Sequence, residues 1–128
     1  IKVPEPFKKE TKWRTWKESV LTYLNSKQGQ ASIPLSYIIR EKDIPERNVI
    51  YQTVHDQLVN KAILYGPEYN RNNGIVYDLL QSLTLNGPAW SWISGYQQNR
   101  DGRGAWKALI AYYEGDAMQT RSKQECYD

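Results

Sequence analysis

Two stretches constrain this chain more than any others: Gly87-Pro88-Ala89-Trp90-Ser91-Trp92-Ile93, and Ala105-Trp106-Lys107-Ala108-Leu109 a dozen residues later. A Gly-Pro break launches a Trp-rich helical turn, and another Trp enters the next helix. Large indoles at helical spacing are packing devices, because each buries roughly 200 Å² and fixes how helices cross. Neither stretch carries a group able to do covalent chemistry. The chain therefore reads as a small helical packing unit whose function lies in its surfaces.

The length of 128 residues suits one ordinary domain. The chain opens at Ile1 rather than Met and reads as an excised piece of a longer protein. Ten Tyr stand against one Phe, with five Trp. Tyr suits half-buried positions, with the ring packed and the hydroxyl wet, and it is enriched at protein interfaces. The net charge of +3 is below that of a dedicated nucleic-acid binder. It is unevenly spread, since Lys2, Lys8, Lys9, Lys12, Arg14 and Lys17 face only Glu5 and Glu10 within the first seventeen residues. Such a run is either a solvated helix face or a nonspecific phosphate contact. The lone Cys126 allows no disulfide within a monomer and points to a reducing, intracellular, cytoplasmic setting. No secretory signal or membrane-spanning apolar run is visible, so the chain is expected to be soluble.

Residues 1–10, with Pro4 and Pro6 among charges, read as an extended lead-in. A helical domain over 11–115 follows, and 116–128 read as the start of a further helix. Thr11 is the expected N-cap of a first helix running to about Ser26. There Trp13, Trp16, Val20, Tyr23 and Leu24 share one stripe, widened by Leu21. Gly29 fits a stop soon after it. Ile33-Pro34-Leu35 is locally extended. Tyr37-Ile38-Ile39-Arg40 suits a short strand or a single helical turn, and is expected to cross the bundle as an ordered loop with buried Ile.

Pro45 fits the first turn of a second helix from about Glu46 to Tyr65. It would carry Ile50, Val54, Leu58, Ala62 and Tyr65 at the helical period, with Val59 and Ile63 beside them. Gly66-Pro67 should end it, and Asn70-Arg71-Asn72-Asn73-Gly74 reads as a polar turn. A third helix from about Gly74 to Leu85 would turn Ile75, Val76, Leu79, Leu80 and Leu83 inward. A fourth, from Pro88 to Tyr96, would place Ala89, Trp92, Ile93 and Tyr96 on one face. Trp90 lies about 200° from Trp92 on a helical wheel, which makes Trp90 the candidate for a partner contact. Asp101-Gly102-Arg103-Gly104 reads as a turn. A fifth helix from about Gly104 to Tyr113 or Glu114 would turn Trp106, Leu109, Ile110 and Tyr113 inward, with Gly115 as its stop. Asp116 would cap a sixth.

The chemistry-bearing residues are sparse. His55, the one His, neighbours Val54 and Asp56 and reads as a surface residue. One His and one Cys cannot make the usual four-ligand metal set. Glu41 and Asp43 sit in a charged loop, and Glu114 and Asp116 flank a Gly. The Asp101 turn lacks the Lys and the preceding strand of a phosphate loop. No catalytic residue, cofactor, metal or small-molecule substrate is expected, and the chain is not read as an enzyme.

Taken together, the motifs resemble the Gag polypeptide of copia-type LTR retrotransposons. The likeness is carried by Trp13-x-x-Trp16 with Val20 and Leu24, by Pro34-Leu35-Ser36-Tyr37-Ile38-Ile39-Arg40, and by Gly87-Pro88-Ala89-Trp90-Ser91-Trp92. Ala105-Trp106-Lys107-Ala108-Leu109, Tyr112-Tyr113-Glu114-Gly115-Asp116 and Thr120-Arg121 add to it. It spans about residues 11–128, and it lies in the order and spacing of the motifs rather than in any one of them. The resemblance implies an all-α bundle of about five to six short helices, like the N-terminal domain of a retroviral or retrotransposon capsid. It also implies self-association into a virus-like particle around the element's RNA. The chain stops where a second helical half would begin, and shows neither the Cys/His zinc knuckle nor a protease motif. Trp90 and Tyr112 are the candidate self-association contacts. Lys8, Lys9, Lys12, Arg14 and Lys17 are the candidate nonspecific RNA contacts. A helical protein-binding adaptor and a basic RNA-binding module are the rival readings.

Overall fold

The first helix starts where its apolar stripe does. In the computed structural model, which describes residues 2–29, 32–45 and 48–115, α1 spans Trp13–Ser26 and buries Trp16, Val20 and Leu24. These positions recur every four residues and so line one face. Thr11 is not its N-cap. The cap position is Lys12, which makes no side-chain bond. The Thr11 hydroxyl instead accepts the Lys8 N–H at 2.9 Å and closes the turn before the helix. The lead-in is extended and packs inward: Phe7 is buried, and its N–H donates to Leu83 O at 2.7 Å.

After α1 the chain doubles back, with Leu35 N–H donating to Lys27 O. Leu35–Ile39 then forms a 3-10 turn with all five residues buried. This segment crosses the middle of the bundle, touching α1 and the later helices, as the buried-loop reading anticipates.

The long second helix is not there. Only Val54–Lys61 is helical (α2), and it buries none of its residues. Thr53 caps it by accepting the Asp56 N–H at 3.0 Å, so Pro45 has no part in it. Ile50 and Val54, expected inside, are 94% and 75% exposed, and Leu58, Ile63 and Tyr65 are exposed as well. A two-turn helix on the rim has one covered side. Here Ala62, with the half-buried Val59, takes it.

Gly66-Pro67 opens a helix rather than closing one. Gly66 has a φ of +99°, a backbone that only Gly adopts without strain, and Pro67 takes the first position of α3, Pro67–Thr84. The expected polar turn Asn70–Gly74 is therefore helical. The earlier start sets the inward face as Val76, Tyr77, Leu80, Leu83 and Thr84, and leaves Ile75 exposed.

Trp90–Ile93 makes one helical turn (α4), which tightens into a 3-10 turn over Ser94–Tyr96 instead of running as one helix from Pro88. The last described helix, α5, spans Gly102–Glu114 and ends at Gly115. Asp101 caps it by accepting the Gly104 N–H at 3.0 Å. Gly102 lies so close to α3 that a Cβ there would stand 2.6 Å from Asn73 O and 2.7 Å from Tyr77 N. The expected sixth helix and its Asp116 cap lie outside the described residues.

The protein is thus an all-α bundle, with five helices and no β-sheet among the described residues. Its centre is α3 against α5. An aromatic cluster closes one end. Trp13 stacks on Tyr113 at 4.8 Å, and Phe7 meets Trp16 edge-on at 5.0 Å. Trp16 also stacks against Trp106 at 6.3 Å.

Candidate interaction surfaces

The two tryptophans of the Gly-Pro turn take opposite places from those expected. Trp90 is half-buried against the core, whereas Trp92, expected in the core, is 40% exposed. Trp92 stacks on Tyr112 of α5, with centroids 4.0 Å apart and planes 25° from parallel. Tyr112 is itself 37% exposed. Trp92, read from the sequence as a core residue, is not part of the core. Within one short turn, period alone does not say which side the neighbouring helix covers.

The other residues expected to pack divide as follows. Trp16, Val20, Leu24, Leu83, Trp106 and Leu109 are buried. Trp13 and Leu79 are half-buried against the core. Val54 and Leu58 are exposed on α2.

The five basic candidates do not form one patch. Lys8 and Lys9 border an open cleft of about 650 Å³, whose apolar lining includes Pro6, Phe7, Leu85 and Pro88. Lys12 borders a separate hollow beside Thr15 and Trp16. Arg14 and Lys17 flank a third, of about 370 Å³, with Trp13, Tyr113 and Glu114. Lys17 is neutralised, because its Nζ donates to Glu114 Oε2 at 2.8 Å. Trp13 Nε1 donates to the same oxygen. The Lys17 hydrogen bond, with that of Trp13 behind it, holds the Glu114 carboxyl below the usual range against the opposing effect of burial.

A charged network near α5's first turn went unseen in the sequence. Arg103 is buried. Its Nη1 donates to Ile38 O at 2.9 Å and Arg40 O at 2.7 Å. Its Nη2 reaches Lys42 O at 3.3 Å and Asp43 Oδ1 at 2.6 Å. Lys107 Nζ also binds Asp43 Oδ1, at 2.7 Å. Hydrogen bonds from Lys107 and then Arg103 pull the Asp43 carboxyl down to about 2. Arg40 is buried alongside and donates to Lys42 O and Val59 O. Its pKa is lowered, by burial first and the Arg103 charge second. Two buried asparagines complete the frame. Asn72 Nδ2 donates to the Tyr37 hydroxyl at 2.8 Å, and Asn73 Oδ1 accepts the Arg103 N–H at 2.8 Å. The available signal was an Arg ending an apolar run at Arg40 and another between two glycines at Arg103. Neither position needs a lone surface cation.

No known protein family, curated protein or solved structure matches the chain. Among the described residues, no cluster of three or more His, Cys, Asp or Glu side chains is placed to hold a metal, and no helix is long and apolar enough to cross a membrane. His55 stands half-exposed on α2, with Nε2 3.3 Å from Asn25 O. Cys126 and Thr120-Arg121 lie outside the described residues.

Proposed function

We propose that this chain is a structural, self-associating domain of the Gag capsid type, non-enzymatic and cytoplasmic, that assembles into a virus-like particle enclosing retrotransposon RNA. Two things support the reading. One is the ordered set of motifs shared with copia-type Gag. The other, which carries it, is the stacked Trp92–Tyr112 pair held at the surface. Trp and Tyr are, with Arg, the residues most enriched among interface anchors.

Light scattering and sedimentation of the chain up to millimolar concentration test the reading. Mass should rise with concentration, and Trp92→Ala should lower association about tenfold or more while leaving the helical signal intact. A chain that stays monomeric throughout refutes it. Electron microscopy of the longer parent protein with RNA should show closed shells.

The RNA contact is assigned to Lys8, Lys9, Lys12 and Arg14, which are exposed and have no ion pair among the described residues. Four phosphate contacts give a slope of log affinity against log salt near −3 on single strands, at about −0.7 each. Charge reversal of the four should flatten it, and Lys17→Glu should change it little.

A further inference from the structure

We propose that two copies of this chain pair through residues 49–65, the α2 side of one meeting the α2 side of the other about a two-fold axis. The inference rests on the self-association reading and gives it a second contact, separate from the Trp92–Tyr112 surface.

Apolar exposure concentrates on this side. Twelve large apolar side chains are exposed among the described residues, and Val49, Ile50, Val54, Leu58, Ile63 and Tyr65 make up half of them. α2 has a covered flank and an uncovered one. Val59 and Ala62 pack on the core, and His55 Nε2 lies 3.3 Å from Asn25 O at the end of α1. Val54 and Leu58 lie one turn apart and about 40° apart around the helix axis, and they stay 75% and 39% exposed. A helix of eight residues is too short to hold itself in water and takes its stability from packing. One that buries none of its residues is short of cover.

The exposed area suits a dimer. The exposed fractions add up to about three aliphatic side chains, at roughly 100 Å² each, and about seven-tenths of a tyrosine, at roughly 200 Å², or about 450 Å² of apolar surface in water. Homodimer interfaces are about 65% apolar, so a contact covering this surface buries about 700 Å² per copy, close to the ~800 Å² of a standard stable interface. The Trp92–Tyr112 pair offers about 200 Å², so lasting association needs a further surface such as this one.

The chemistry selects a second copy as the occupant. With His55 neutral, Asp56 and Lys61 are the only full charges among residues 48–65, and they cancel. RNA and an anionic membrane both call for a basic surface, which this is not. A two-fold contact needs only one patch, because each residue that meets another is met by it in return. Two copies then bring apolar surface to apolar surface with no net charge to repel them.

Sedimentation and fluorescence-anisotropy titration of the whole 128-residue chain test this. One variant carries Val54→Asp and Leu58→Asp, another Val54→Lys and Leu58→Lys, and circular dichroism checks that each keeps its helices. Each alone should pair at least tenfold more weakly than the unaltered chain, because like charges are brought together. Mixed one to one, the two should recover to within about threefold, since acid then meets base whichever positions face each other. Ile50→Asp, 94% exposed and outside every helix, should weaken pairing at least threefold, and it decides the matter if a double variant loses its helices. Trp92→Ala should lower association beyond the dimer and leave the dimer in place. Pairing unchanged by the double-Asp variant, or by Ile50→Asp, overturns this contact and leaves the self-association reading standing. Weakening without recovery in the mixture overturns the two-fold arrangement. A drop in Tm of more than about 5 °C for the double-Lys variant in dilute, monomeric solution shows that a segment of the same chain covers the face, and overturns the contact too. A chain monomeric at every concentration overturns both proposals.

Discussion

Replacing Arg103 by Met removes four hydrogen bonds while keeping an apolar stem of similar length. Its donors hold the carbonyls of Ile38, Arg40 and Lys42 and the carboxylate of Asp43. Lys42 O keeps Arg40 Nε as a donor, and Asp43 keeps Lys107. The loss therefore falls on Ile38 O and Arg40 O, both bonded in the buried interior. A buried acceptor stripped of its donor costs about 1–3 kcal/mol, giving about 2–6 kcal/mol for the two. Removing one of two neighbouring guanidinium charges returns part of this, because Arg103 opposes the charge of Arg40. The expected net loss is about 3 kcal/mol, within the 5–15 kcal/mol of a typical domain.

For a chain of this size that lowers Tm by about 9–15 °C. Urea unfolding followed by Trp fluorescence gives the free energy, and calorimetry gives Tm. Arg103→Lys separates charge from geometry. A single ammonium cannot span three carbonyls and a carboxylate, so Lys should recover less than half of the loss. A cost below about 1 kcal/mol for Arg103→Met would show that the network does not hold the crossing segment to α5. Full recovery with Lys would show that charge alone matters.

Burial and close packing elsewhere in the bundle set further expectations. Gly102→Ala should destabilise by about 1–3 kcal/mol, read from the urea midpoint, because its Cβ meets α3 backbone that cannot rotate away. Ile50→Asp should change stability by less than about 0.5 kcal/mol, whereas Leu80→Ala should cost about 2–5 kcal/mol, a contrast that reads the burial pattern directly. Stability should also fall on acidification. The Asp43 carboxyl lies at about 2 when folded, against an ordinary 3.8. Its contribution is thus complete above about pH 4 and is lost as pH falls towards 2. Asp43→Asn should flatten that acid limb in unfolding measured from pH 5 to pH 2.

The helical class was legible because Trp16, Val20 and Leu24, and Trp106 and Leu109, repeat at the helical period and meet strong stops. The Gly-Pro and Asp-Gly breaks were legible as breaks, but their direction was not. Pro67 satisfies both the end of one helix and the start of another, and only the tertiary placement of Asn72 and Asn73 decides. Both asparagines look like turn residues until their partners are known. Tyr37 and Arg103, thirty or more residues away, convert them into cross-helix ties. The 46–65 region failed for a different reason. Its apolar period is real, yet period specifies a stripe and not what covers it. With α3 and α5 already filling the centre, α2 is left at the rim. The exposed aromatic groups were legible only in part. The sequence placed aromatic groups near the right helices, but Trp90 and Trp92 differ in burial through packing that no local pattern records.

The surface aromatic pair is continuous with the interior one, and this fixes what kind of contact it can make. Tyr112 meets Tyr113 edge-on at 4.7 Å, and Tyr113 in turn stacks on Trp13. Trp92 and Tyr112 are therefore held from behind by packed rings, and little rotamer freedom remains to be lost on association. The area is nevertheless small. At roughly 40% exposure, two aromatic side chains offer about 200 Å² per copy, well under the ~800 Å² per partner of a standard interface. At about 25 cal/mol per Å² the two copies gain about 10 kcal/mol gross, most of which the 4–15 kcal/mol cost of immobilising two bodies consumes. A single such contact should have a dissociation constant of about 0.1–1 mM. Weak contacts that combine through several distinct surfaces give assemblies that close under crowding and correct their errors by dissociating. A nanomolar dimer through Trp92 would contradict this reasoning, since the ring faces cannot supply that energy.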